Sequence, residues 1–336
     1  MSFDVIATPG RSSRISSCSL LTLPVVLLIA HIAASAAPPH SHRFPRQDQV
    51  ADQTDKAYYA NAHPYLDEPT KKLCKLVREL KSIHPAADQR PLPEILEKTG
   101  SNVDDFFQHI VDLIAQEQIT QERLNGNSIT GKQNVQDNYL IVRESEASQS
   151  DLVEYRMDSN GNRIDPAGFR RGYLVTFGFA LLSNYFSSLY QTESVFRYLG
   201  DQKLGPRDTY VIAFAQKPGE ATQFVTMSSS HVQGVHMLMQ GIAWIDKTNF
   251  QIVRMRTDLL APRPEVSLDR QTTEVTFSPV QLQDISSPLW LPEHVNVFLE
   301  IKESVPSGFL QLSFRNQHHY SDYRRYRVSV KMIPTQ

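Results

Sequence analysis

Met239-Gln-Gly-Ile-Ala-Trp-Ile-Asp-Lys-Thr-Asn-Phe-Gln-Ile-Val-Arg-Met-Arg-Thr-Asp-Leu-Leu-Ala-Pro262 is the stretch that decides the fold. It reads as two strands joined by a tight Asp-Lys-Thr-Asn turn. In the first strand Ile242, Trp244 and Asp246 point one way, and Ala243 and Ile245 the other. After the turn, Gln251, Val253, Met255, Thr257 and Leu259 alternate with Ile252, Arg254, Arg256 and Asp258. A period of two in β-branched residues, bounded by turn formers, is the strand signature.

Working outward, the same pattern recurs. Residues 139–142 and 152–156 read as strands, the second ending in the turn Asp158-Ser-Asn-Gly161. Asp158, Asn160 and Asn162 resemble a calcium loop, but Arg163 stands where its glycine belongs and no closing Glu follows, so a hairpin turn is expected. Strands then follow at 194–203, 209–216, 223–228 and 235–240, and after the central hairpin at 272–278, 290–301, 309–316 and 319–332. Short connections carrying Gly205-Pro206, Lys217-Pro-Gly219 and Pro262 demand antiparallel pairing. Before the strands come amphipathic helices. One starts after Thr70 with Leu73, Leu76, Val77, Leu80 and Ile83 in helical rhythm; Cys74 lies at the edge of that stripe. A short one covers residues 93–98 and stops at Gly100, and a third begins at Ser101 with Val103, Phe106, Phe107, Ile110 and Ile114 on its apolar face. Each needs a surface to cover, and the sheet supplies it. The fold class expected is α+β, a curved antiparallel sheet in the form of a half-barrel with N-terminal helices packed on it.

The chain's ends and composition place it. Arg11 and Arg14 precede the apolar run of residues 20–29, and Ala34-Ser35-Ala36 follows with small residues, the order of a secretory signal too short to span a bilayer. The expected organisation is a signal peptide at 1–36, a flexible leader at 37–65, a helical segment at 66–116 and the half-barrel at 117–336, with 66–336 forming one structural unit. Cleavage after Ala36 leaves 336 − 36 = 300 residues, with no stable transmembrane anchor, and a periplasmic or secreted location. Of two cysteines only Cys74 would survive, so no internal disulfide is expected. With 34 basic and 36 acidic residues, the charge balance argues against nucleic acid as a partner.

Motifs for chemistry are missing. His231 and His236 do not share a chelating spacing, and His318 and His319 should face opposite sides of a strand. No nucleophile elbow or phosphate loop occurs, and Ser228-Ser-Ser-His231 lacks a strand-to-helix context. No catalytic residue, metal site or cofactor is expected. Two other features stand out. Arg254, Arg256 and Asp258 share a face with a strand that offers Glu274 across a short connection, a cross-strand charge ladder on a solvated outer face. Residues 172–190 are apolar on all sides, beginning as a strand and turning helical near Phe179, so they must be core or line a cavity.

The order Phe196-Arg-Tyr-Leu-Gly200, Thr209-Tyr-Val-Ile-Ala-Phe214, Gly241-Ile-Ala-Trp-Ile-Asp246, Leu289-Trp-Leu-Pro292 and Tyr320-Ser-Asp-Tyr-Arg-Arg-Tyr-Arg327 resembles bacterial envelope proteins of the periplasmic lipoprotein-carrier (LolA/LolB-like) superfamily, including uncharacterised exported members. The resemblance covers residues 118–332. It implies helices over the concave apolar face of a half-barrel, and an acylated ligand held there; the family's gating arginine is not placed on Arg254 or Arg256. Phe177, Phe179, Leu182, Tyr185, Phe186 and Trp244 are then the candidate cavity residues. The expected function is an exported, non-enzymatic binding protein for an acyl chain or similar apolar ligand, in lipid or lipoprotein handling. The alternative is a structural or sensor module of the envelope that binds a partner protein and has no ligand cavity.

Overall fold

The computed structural model describes residues 31–34, 56–146, 149–164, 169–170, 172–176, 178–227, 235–283, 285–305 and 308–326. Most of them build one open antiparallel sheet of 12 strands. Its strands are β2 (His84–Pro85), β3 (Leu113–Asn125), β4 (Ser128–Glu146), β5 (Gln149–Met157), β6 (Arg163–Ile164), β9 (Ser194–Leu204), β10 (Arg207–Gln216), β13 (Met239–Asp246), β14 (Ile252–Leu259), β15 (Leu268–Val280), β16 (Leu289–Val305) and β17 (Gly308–Arg325). Their spatial order is β2-β9-β10-β13-β14-β15-β16-β17-β3-β4-β5-β6. From β13 to β17 the chain meanders, as the short turns require. The last long strand then pairs with the first, Tyr320 opposite Glu117, so residues far apart in sequence meet mid-sheet. Two small sheets stand apart: β1 (His31–Ala34) with β11 (Gln223–Met227) and β12 (Val235–Met237), and β7 (Phe169–Arg170) with β8 (Tyr173–Leu174). Strand β1 lies inside the segment expected as a signal peptide. The Ser228–His231 stretch lies outside the described residues.

The central hairpin forms as its alternation demands, with one slip. Trp244 pairs Arg254 and Ile245 pairs Ile252, so Val253 is an extra residue in a bulge. The slip changes which side chains share a face: Ile252 and Met255 go to the inner core, while Val253 joins Trp244 outside. Such bulges re-aim side chains by leaving one residue out of the ladder. Gly241 is required here, since a Cβ would lie 2.3 Å from the Arg256 carbonyl and 2.6 Å from the Phe214 ring.

Among the described residues, two α-helices of seven residues or more accompany the sheet, α1 (Thr70–Leu76) and α2 (Leu92–His109). Val77 takes extended backbone and ends α1, so the expected five-residue stripe breaks. Leu73, Val77 and Leu80 are buried, whereas Leu76 is 57% exposed. The two helices expected on either side of Gly100 are one continuous helix. Gly100 is a packing glycine, not a terminator: a Cβ there would lie 2.5 Å from the Gln191 amide and 3.1 Å from the Phe186 carbonyl. The two strands expected at 309–316 and 319–332 are likewise one strand, β17, up to Arg325.

The outer face of β9, β10, β13 and β14 is not solvated. Residues 58–83 cross it, burying Leu73, Val77 and Leu80 against Val211, Ile242, Trp244 and Val253. The charge ladder is covered with them. Arg256 pairs Glu274 in register and reaches it at 2.9 Å. It also holds Asp258 at 2.8 Å, and Tyr65 donates to Asp258 from above at 3.0 Å. Expected as a wet surface, this face is an enclosed one, because helix α1 and the Tyr65 loop needed an apolar floor and the ladder borders it.

Candidate functional site: a strap across the concave face

The inner face of the sheet is lined by Leu113, Ala115, Tyr139, Ile141, Ile212, Phe214, Ala243, Ile245, Met255, Val275, Val295, Val297 and Leu299, all in one core. Two elements fill the concavity over it. One is α2, through Ile95 and Val103. The other is a strap built by residues 173–176 and 178–193; it begins as β8, forms a 3-10 turn at Ala180–Phe186, and ends at a second turn, Gln191–Glu193. An apolar segment outside the sheet ladder must find other partners for its backbone. Here it finds side chains.

At the strap's start, the Leu174 carbonyl accepts from Gln121 Nε2 at 2.6 Å and from Asn316 Nδ2 at 2.8 Å. Asn316 Nδ2 also donates to Thr176 Oγ1 at 3.0 Å, and Thr176 meets His318 Nε2 at 3.0 Å. At mid-strap, the Glu154 carboxylate accepts the backbone N–H groups of Gly178 at 3.1 Å, Phe179 at 2.9 Å and Leu181 at 3.0 Å. At the end, Ser187 Oγ donates to Asp104 of α2 at 2.6 Å, and Gln191 Nε2 donates to the Leu96 carbonyl at 2.8 Å.

Beneath the strap lies a second, wholly sheet-borne polar group. Glu117 accepts from Arg156 Nε and, at 2.6 Å, from Nη2. It also accepts from Tyr320 at 2.6 Å and from His318 Nδ1 at 2.8 Å. Burial alone would raise the Glu117 pKa, but Arg156 and His318 override it and carry it down to about 2. Burial lowers the His318 pKa against its contact with Glu117; Nδ1 faces the Glu117 carboxylate and Nε2 faces the Thr176 hydroxyl. For Glu154 burial prevails and its pKa is raised, against donation by Tyr139 and by the strap amides. Burial holds the phenols of Tyr139 and Tyr320 far on the protonated side, so both remain donors.

Four expected cavity residues come together here. Phe179, Leu182, Tyr185 and Phe186 are all buried within the inner core. Tyr185 and Phe186 lie 5.2 and 5.5 Å from the Phe214 ring, and Phe179 lies 5.0 Å from His318. Each such burial is worth roughly 1.5–3 kcal/mol. Trp244 does not join them. It faces the outer side, where its Nε1 donates to Gln202 at 3.0 Å and Arg254 lies over its ring, because alternation along β13 gives the inner face to Ala243 and Ile245. Phe177 lies outside the described residues. Sequence reasoning missed Glu117, Glu154, Arg156 and His318. Their signal was a charged or polar residue at an inward position of an alternating strand, as Glu117 between Ala115 and Ile119.

Small cavities lined by described residues flank this site. One, of about 10 Å3, lies against Gln121, Asp137, Arg156, Thr176 and His318. Another, of about 30 Å3, is under α2 between Val103, Phe106, Phe250, Phe277 and Trp290. The first has room for one water. Among the described residues no group of three or more His, Cys, Asp or Glu could hold a metal ion, and no helix is long and apolar enough to cross a membrane.

No protein-family model and no curated protein matches the chain. Solved structures do. An outer membrane lipoprotein-sorting protein domain from Vibrio parahaemolyticus is 12% identical, with 71% of this chain and 93% of that chain covered and a TM-score of 0.36. A DUF1329 family protein from Desulfovibrio piger is 15% identical, covering 72% and 95%, at a TM-score of 0.33. A LolA superfamily protein from Nitrosomonas europaea is 14% identical, covering 70% and 94%, at 0.27. The open α+β half-barrel itself is read from this chain's own strand order and register.

Proposed function

We propose that the chain is an exported, non-catalytic binding protein whose concave face holds an acyl chain or other apolar ligand, and that the strap occupies the ligand's place in the closed form. The observation that supports this is how the strap is attached. From Gly178 to Gln191 it places Phe179, Leu182, Tyr185 and Phe186 on the inner face, yet it is fixed to its neighbours by hydrogen bonds that each involve a side chain and not by strand pairing. Such a segment leaves without breaking a ladder, and a site of this kind needs several hundred Å3 of apolar space once it has left. Phe179, Leu182, Tyr185 and Phe186 would turn from plug to gate.

The test uses delipidated full-length protein and Nile red, a neutral apolar dye. Saturable binding with a blue-shifted emission is expected, weakened by any apolar chain that competes. Failure of the protein to take up the dye would sink the carrier. The filled concavity favours one other reading, a structural or sensor module that binds a partner protein. On that reading Phe186→Ala lowers stability by about 3–5 kcal/mol, the cost of a large buried cavity, and no apolar ligand binds.

A further inference from the structure

The outer face of β16 and β17 carries a histidine pair that the concave face does not use. His294 and His319 are direct partners in the ladder, which runs on without a slip from them to Val305 and Gly308. Adjacent residues on β17 thus part company. His318 is buried on the inner face, while His319 is half-buried on the outer one beside an exposed His294. The two outer rings stack at 4.6 Å, 20° from parallel, and bring Nδ1 of one to 3.3 Å from Nδ1 of the other. For that contact to be a hydrogen bond, one ring must donate and the other accept. A metal ion serves both lone pairs at once.

The spacing suits one. A metal roughly 2.0–2.1 Å from each nitrogen, with 3.3 Å between the two, would see them at an angle of about 104–111°, close to tetrahedral. The ring torsion of histidine is soft, so a small turn of either ring brings both lone pairs to that point. The ladder neighbours of the pair are uncharged: Thr276 lies opposite His294, and Gln118 opposite His319. Two residues along, Asn296 pairs Gln317. Arg254 comes next in the row beyond Thr276, and it is tied to Glu274 at 2.9 Å. Glu293, which the bulge beside His294 leaves out of the ladder, adds a negative charge next in sequence. We propose that His294 and His319 form a two-imidazole site for a divalent transition metal of the zinc, nickel or copper kind, its remaining positions open to solvent water. The site does not depend on the carrier reading.

The pair exists only in the folded chain, since its members are 25 residues apart in sequence. Metal bound there raises resistance to urea, whereas metal held equally by the folded and unfolded chain does not. Full-length protein is therefore unfolded in urea at about pH 7.5, above the ordinary histidine pKa, with zinc chloride, nickel chloride or magnesium chloride. Zinc and nickel should raise the midpoint, and magnesium, which takes oxygen ligands, should not. His294→Ala and His319→Ala should each weaken zinc binding to the folded chain at least about tenfold, because one imidazole alone forfeits chelation. The shift is read in each variant against its own metal-free midpoint, so a change in stability does not mask it. A midpoint that zinc and nickel leave unmoved in the unmutated protein overturns the inference without any variant. So does a shift that survives in either variant, which would put the metal elsewhere, or one that magnesium matches.

Discussion

The two halves of the sheet are built on different principles. In β9, β10, β13 and β14 both faces are covered, by the strap and α2 inside and by residues 58–83 outside. All eight residues of β13 are buried. In β16, β17, β3 and β4 only the inner face is covered. The outer face carries cross-strand rows of polar residues, such as His294, His319, Gln118 and Gln136, in register. The covered half has the apolar inner face, with Phe214, Ala243 and Ile245 under the strap. The half with the wet back, with β5 beside it, has Glu117, Glu154, Arg156 and His318 on its inner face. Covering thus divides the labour: one half supplies burial, and the other supplies the polar contacts that position the strap.

If that division holds, the largest single loss should come from the polar half. Arg156→Met leaves Glu117 buried without its cation and should cost about 3–5 kcal/mol in urea unfolding at neutral pH. The pH dependence has a definite sign. The Glu117 pKa is lowered from 4.5 to about 2 in the folded state, so its contribution is complete above about pH 4.5 and is lost as pH falls toward 2. Arg156→Met should flatten that acid limb. An unchanged limb would show that Glu117 does not carry it.

Next in size is the covered half. Leu73→Ala, on the far side of the sheet from the strap, should cost about 2–5 kcal/mol while leaving Nile red uptake unaltered. A parallel loss of uptake would mean that the outer cover and the strap act as one unit. Gly200→Ala should cost at least roughly 1–3 kcal/mol in the same unfolding assay, because Gly200 has φ +139° and a Cβ would lie 2.0 Å from the His84 carbonyl oxygen. At the small end, Gln118→Ala on the wet face should change stability by no more than about 0.5 kcal/mol. A larger effect would show that this face, too, is covered in solution.

The sequence was most legible where only one face is buried. Alternation along residues 113–121 and 289–301 announces strands directly. It was least legible where both faces are buried, since β13 offers no polar side to mark its orientation; the bulge at Val253 then shifts the parity again. Trp244 was assigned to the concavity for that reason. The strap's apolar run was visible, and so was its turn toward helix near Phe179. Its docking was not, because Gln121, Glu154 and Asn316 come from three different strands, and Asn316 reaches Gln121 only where β17 pairs β3 across some two hundred residues of sequence. Gly100 misled because a glycine that admits a neighbouring chain and a glycine that ends a helix look alike in one dimension.

The β9 margin of the sheet has a consequence for self-association. Strand β2 covers only two residues of β9, and its Pro85 has no amide hydrogen to offer. Beyond it the side chain of Gln89 takes over, accepting the Tyr198 amide at 2.8 Å and donating to the Tyr198 carbonyl at 2.9 Å. One glutamine thus imitates a strand residue and occupies the hydrogen-bonding pair on which another chain could template itself. At this margin the sheet ends in a two-residue strand and one side chain, and Gln89→Ala would open an adhesive edge there, detectable as concentration-dependent dimers in sedimentation.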